Sequence, residues 1–154
     1  ATGNASSATA VVASIKARLK AVTDKLAKVA EDKRPLVFYE VWDEPLMTAG
    51  PGTFIGQVIK AAGGRNVFAD LTEDWPMVSF EALVLRKPDI IIASNTHAEA
   101  LSAQKLAARP GWANLKAVKE RRIFLLDGDV LSRPGPRFVE AVELIAKALY
   151  PSLF

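Results

Sequence analysis

From Pro35 onward, short apolar runs alternate with helical patterns, and the breaks between them fall at Gly and Pro. Residues 36–41, Leu36-Val37-Phe38-Tyr39-Glu40-Val41, are apolar or aromatic at nearly every position, as a strand covered on both faces requires. Apolar periodicity then predicts a helix over 53–62, capped by Thr53 and stopped at Gly63-Gly64, and a brief strand at 66–68. Ser79 caps a helix that reaches Arg86, Lys87-Pro88 ends it, and 89–93 reads as strand. Helices over 98–108 and 113–119, a strand at 122–126 and a last helix over 136–149 complete the series. Strands separated by helices pair in parallel, because only a crossover brings the chain back to the same end. The expectation is an α/β fold: a three-layer domain with a central, mostly parallel sheet of about four strands.

A different pattern precedes it. In the first 30 residues Val12, Ile15, Leu19, Val22, Leu26 and Val29 recur at steps of three and four, with no Pro and no Gly after Gly3. That spacing predicts one amphipathic helix over 4–30. At about 1.5 Å per residue it extends roughly 35–40 Å, more than the domain needs to cover its own core. The expected division is 1–34, a long helix that serves as a strut, and 35–154, an α/β lobe. The alternatives are a helix packed along its own domain and a helix that pairs two copies of the chain.

Charge excludes one class of partner. Twenty Lys and Arg against 17 Asp and Glu leave only +3, spread along the chain with no aromatic-interleaved basic block, so no nucleic acid is expected as a partner. No apolar run approaches the roughly 18 residues of a spanning helix. The absence of Cys removes disulfides, thiolate metal sites and Cys nucleophiles. The chain opens at Ala1 without an initiator Met, and is expected to be processed or cut from something longer.

Ligands of parallel sheets bind at the carboxyl ends of strands, which singles out the loops at 42–52, 94–96 and 127–135. Gly50, Gly52 and Gly56 follow a strand and open a helix, but their spacing and the long preceding loop do not fit a dinucleotide fingerprint. His97, the single His, cannot by itself supply the ligands of a zinc site. No Ser carries a nucleophile-elbow motif, and Asp127 and Asp129 flank a turn-forming Gly128. Trp42 and Trp75 fall in loop segments rich in Pro and charge, where a ring suits the wall of a large, flat, partly apolar ligand or lids the local core. Trp112, after Pro110-Gly111, is assigned to packing.

Four pieces of the chain, in this order, resemble the carboxyl-terminal half of the binding proteins that carry cobalamin, haem and iron-siderophore complexes to ABC importers. They are Val37-Phe38-Tyr39-Glu40-Val41-Trp42 leading to Thr48-Ala49-Gly50; Phe54-Ile55 through Ala62-Gly63-Gly64-Arg65-Asn66-Val67; Val78-Ser79-Phe80-Glu81 through Lys87-Pro88-Asp89-Ile90-Ile91; and Arg133-Pro134-Gly135-Pro136-Arg137. The resemblance covers nearly the whole length. It implies two α/β lobes bridged by a long helix, with ligand clamped between them and only the second lobe represented. It further implies a non-catalytic, extracytoplasmic receptor with no resident cofactor and no metal site of its own, which meets a dimeric permease at the membrane surface or hangs from a lipid anchor.

By similarity, Trp42 and Trp75 fall where cobalamin-binding members place rings against the corrin, with Asp43, Glu44 and Arg133 beside them as ligand contacts. Glu81 matches the acidic residue that such lobes present to permease arginines, although near the Ser79 cap it also serves the helix amino terminus. Arg133 and Arg137 either reach an anionic ligand group or pair with Asp127 and Asp129. Neither Tyr39, inside a strand, nor Tyr150, near the end, is placed as a ferric ligand, which favours a corrinoid. Haem, siderophore or metal-ion cargo and a Rossmann-like nucleotide-binding enzyme domain are the alternatives.

Overall fold

The computed structural model describes residues 2–94, 102–132 and 136–154. Helix α1 (Thr2–Leu26) leads through a 3-10 turn (Glu31–Lys33) into β1 (Leu36–Asp43) and β2 (Leu46–Thr48). There follow α2 (Phe54–Ala61), β3 (Arg65–Asn66), α3 (Phe80–Arg86), β4 (Ile90–Ser94), α4 (Ala103–Ala108), a 3-10 turn (Trp112–Asn114), α5 (Lys116–Lys119), β5 (Ile123–Leu126), α6 (Gly128–Ser132) and α7 (Phe138–Leu149).

Central strand β1 pairs in parallel with β4 on one edge, and β4 with β5. Its other edge is shared, with β3 parallel at Leu36 and Val37 and β2 antiparallel from Glu40 to Asp43. The sheet is therefore mostly parallel as expected, but has five strands among the described residues, because the segment read as a loop after residue 41 continues β1 and turns back as β2. The register slips between Glu40 and Trp42, a bulge that re-aims the strand end. The stretch read as loop after Asp127 contains α6, and the first helix ends at Leu26, four residues before its expected limit.

Alternation along the strands sends side chains into two cores. Val37 and Tyr39 of β1 and Ile90 and Ile92 of β4 pack with Ile55, Val58 and Ile59 of α2, Val142, Ile145 and Leu149 of α7, and Val22 and Leu26 of α1. On the opposite face Phe38 and Ile91 meet Val67, Phe68, Leu83, Leu106, Trp112, Leu115 and Val118. Each such fully buried side chain contributes about 1.5–3 kcal/mol. Helices on both faces of the sheet make the three layers.

Only the second half of α1 joins this structure. Val22 and Leu26 are buried, Leu19 lies against the same core, and Arg18 forms a two-pronged ion pair with Glu143 of α7. Val11 and Val12, by contrast, are 45% and 49% exposed. The amphipathic stripe thus runs further than the lobe it covers.

Candidate functional site

At the carboxyl end of β1 the backbone is assembled into a plate wider than the strand. Trp42 lies opposite Met47 in the β1–β2 ladder, and Met47 lies opposite Met77 in a further antiparallel bridge. Thr48 N donates to Pro76 O (3.1 Å), Val78 N to Leu46 O (2.9 Å) and Gly50 N to Asp74 O (2.7 Å), so the segment around Trp75 is hydrogen-bonded to the hairpin that carries Trp42. Gly50 is what permits this approach, since a Cβ there would stand 2.0 Å from Glu73 O.

Both indoles are open to solvent, Trp42 at 47% and Trp75 at 49% exposure, and Met77 beside them at 68%. Trp42 Nε1 donates to Glu44 O at 3.0 Å, which fixes the indole over its own turn. Asp43 is exposed, with a carboxylate oxygen 3.6 Å from Arg109 Nη2, and Glu44 is exposed. Trp42, Asp43, Glu44 and Trp75 are thus brought to one end of the sheet. Arg133, the remaining expected ligand contact, and His97 lie outside the described residues. Arg137 pairs with Glu140 at 3.3 Å within its own helix, while Asp127 Oδ1 accepts from Asp129 N at 3.0 Å. Trp112 is buried as expected, at 6% exposure.

Glu81 is exposed in the first turn of α3, where Ser79 Oγ accepts from Ala82 N at 3.1 Å. The turn reaches the sheet through Phe80, stacked on Trp112 with ring centroids 5.5 Å apart, and Arg109 lies over the same indole at 4.8 Å. Sequence reasoning missed Arg109 and its buried partner Glu40. The lone charge in the run Val37-Phe38-Tyr39-Glu40-Val41 was the available signal, because an ionised side chain within a buried strand needs a partner.

The glycines after β1 have packing roles. A Cβ on Gly56 would stand 2.3 Å from Gly50 O, and Gly56 N is already satisfied by Thr53 Oγ1 at 3.0 Å, so the turn is closed where a pyrophosphate would have to sit. Tyr39 is buried, and burial pushes its hydroxyl up to about 12, with only a hydrogen bond from Ser94 acting the other way. Tyr150 OH donates to Gly63 O at 2.7 Å, near the opposite end of the sheet. Among the described residues no cluster of His, Cys, Asp and Glu has the makings of a metal site.

The mostly parallel α/β lobe entered by one long helix is shared with solved periplasmic binding proteins. Residues 1–130 match the family model described as periplasmic binding protein, and the chain belongs to that family. It is 33% identical over 145 residues to an uncharacterised ABC transporter substrate-binding lipoprotein of Bacillus subtilis, YvrC, covering 94% of this chain and 45% of the relative. It is 32% identical over 153 residues to a cobalamin-binding protein of Halobacterium salinarum, covering 97% and 41%. Among solved structures it superposes on the periplasmic haem-binding protein RhuT of Roseiflexus with a TM-score of 0.80 and 26% identity, covering 95% of this chain and 56% of the other. The chain therefore spans less than half the length of these two curated relatives. No helix among the described residues is long and apolar enough to cross a membrane.

Proposed function

We propose that the chain is the carboxyl-terminal lobe, with α1 as the connecting helix, of an extracytoplasmic receptor that hands a corrinoid or an iron chelate to an ABC importer. The observation that carries this reading is the pair of half-exposed indoles held on one hydrogen-bonded plate at the carboxyl end of the central strand. Rings fixed in that way offer a flat, rigid, apolar surface to a flat ligand at little entropic cost. Trp42 and Trp75 form the wall, and Asp43, Glu44 and Arg133 meet polar groups at the ligand's rim. The ligand is cargo, the lobe has no resident cofactor, and nothing in its role is catalytic.

Corrinoid cargo fits better than bare ferric iron. From this lobe a phenolate ligand for iron could come only from Tyr39 or Tyr150, and the first is buried and held protonated while the second is committed to Gly63 O. Glu81 addresses arginines of the permease dimer, where an exposed carboxylate sets orientation and encounter rate. The protein is peripheral to the membrane, held there through the permease or a lipid anchor.

Calorimetric titration with cyanocobalamin tests the reading. The longer protein that contains this lobe should bind tightly, and the 154-residue chain at least a hundredfold more weakly, because a one-sided site leaves most of the ligand in water. Tight binding by the chain alone overturns the half-site, and absence of binding by the longer protein overturns the corrinoid.

A further inference from the structure

The far end of the sheet carries a second feature, about 20 Å from Trp42 along β1 at about 3.3 Å per residue. A hollow of about 490 Å³ opens there, lined by Glu31, Arg34, Lys60, Arg65 and Asn66 together with Leu36, Ala69 and Gly64, and it extends to Gly56 and Pro51. A second hollow of about 420 Å³ adjoins it between α1 and α2, and Arg34 and Lys60 line both. Three basic residues and one acidic residue, Glu31, therefore border one space.

None of the three forms an ion pair among the described residues. The ion pairs among the described residues use Arg18, Lys20, Arg86, Arg109, Lys116 and Arg137, not Arg34, Lys60 or Arg65. Arg65 Nε donates to Arg34 O at 2.9 Å, which ties the two residues together through the backbone. Arg34 Nε is the one buried side-chain nitrogen or oxygen among the described residues without a hydrogen-bond partner. Lys60 has a local explanation, since it stands in the last turn of α2 where a cation complements the carbonyl end of the helix. Arg34, in extended backbone after a 3-10 turn, has none.

We propose that this hollow is an oxyanion site of the phosphate class, in which Arg34 and Arg65 supply planar donor forks and Lys60 a mobile ammonium. Guanidinium forks match the spacing of phosphate oxygens and bind them in pairs. The space exceeds one phosphate, so a pyrophosphate or a phosphate carried on a larger molecule, including a lipid headgroup, fits the same donors. Arg34 and Arg65 stand at the opposite end of the strand from the two indoles, and the site does not depend on the receptor reading.

Inorganic pyrophosphate titrated calorimetrically into the 154-residue chain at low ionic strength is the direct test. One saturable site is expected, weakened at least tenfold by Arg34→Gln and by Lys60→Gln, but less than twofold by Lys119→Gln, which removes the same charge on α5. Pyrophosphate should also raise the melting temperature of the unaltered chain and not that of Arg34→Gln. Sedimentation with phosphatidylglycerol against phosphatidylcholine vesicles separates the sources: capture that Arg34→Gln abolishes assigns the headgroup, and pyrophosphate binding without capture assigns a soluble phosphate. Failure of both ligands to bind, or equal losses in all three variants, overturns the site.

Discussion

Arg109 grips Glu40 with both terminal nitrogens, Nη1 to Oε2 at 2.6 Å and Nη2 to Oε1 at 3.0 Å. The side chains are only 19% and 5% exposed, and the arginine also leans toward Asp43 at 3.6 Å. A carboxylate that deep in the central strand is tolerable only because the fork meets both its oxygens. Arg109→Met should therefore destabilise the chain by about 3–5 kcal/mol by leaving a buried charge unpaired, whereas Glu40→Leu with Arg109→Met should restore most of the loss. Urea denaturation of the two variants checks the difference.

Gly50→Ala forces a methyl group against Glu73 O and must move the segment that carries Trp75. Overpacking of this kind costs about 1–3 kcal/mol. Gly52→Ala meets only the Asp74 side chain at 3.3 Å and should change stability far less. Thermal unfolding separates the pair, and the tryptophan emission maximum should shift only in Gly50→Ala.

Acid sensitivity should centre on Asp89. Burial works against its charged form, but hydrogen bonds from Lys116 Nζ and Leu36 N, both 2.8 Å, outweigh that and hold its carboxyl below the ordinary range. A depressed folded value means stability that is present above the unfolded value, about 3.9, and lost as pH falls through the folded one. The hydrogen bond to Asp89 raises Lys116, so its contribution is present below about 10.4 and lost as pH rises through its folded value. Asp89→Asn should flatten the stability profile at both ends, as measured by denaturation across pH. Persistence of the full acid decline in that variant would assign it to Glu143 and Asp70, whose carboxyls Arg18 and Arg86 also hold low.

Capping and recognition can be separated on α3. Ser79→Ala removes the cap and should cost about 1 kcal/mol. Glu81→Ala should cost less, about 0.3–1 kcal/mol, yet reduce uptake by the longer protein if the carboxylate addresses the permease. Unchanged uptake in Glu81→Ala would leave it only the helix-terminal role.

The two halves of α1 should respond differently to substitution. Leu26→Ala opens a cavity between α1, α2 and α7 and should cost about 2–4 kcal/mol, while Val12→Ser should fall within about 0.5 kcal/mol of the parent by circular dichroism melts.

The layers were legible because two periods, near 3.6 and near 2, report which face of each element is buried. The caps at Thr53 and Ser79 were legible for a local reason, a hydroxyl three residues before an amide in need of an acceptor. What escaped was non-local. Leu46–Thr48 is too short and too mixed to announce a strand, and it becomes one only because β1 offers an edge. The partner of Glu40 lies 69 residues away, a distance over which no pattern in the chain connects a carboxylate to its guanidinium. Composition left Trp42 and Trp75 either as a ligand wall or as lids on the local core, and their common support depends on Gly50 letting two backbones touch.

That contact ties the two indoles into a single mechanical piece. Strand β1 runs through both cores, so pressure on either ring would be felt in the middle of the lobe, and neither tryptophan could adjust to a guest alone. A surface of this kind selects by shape before it selects by charge, and suits cargo that arrives stiff.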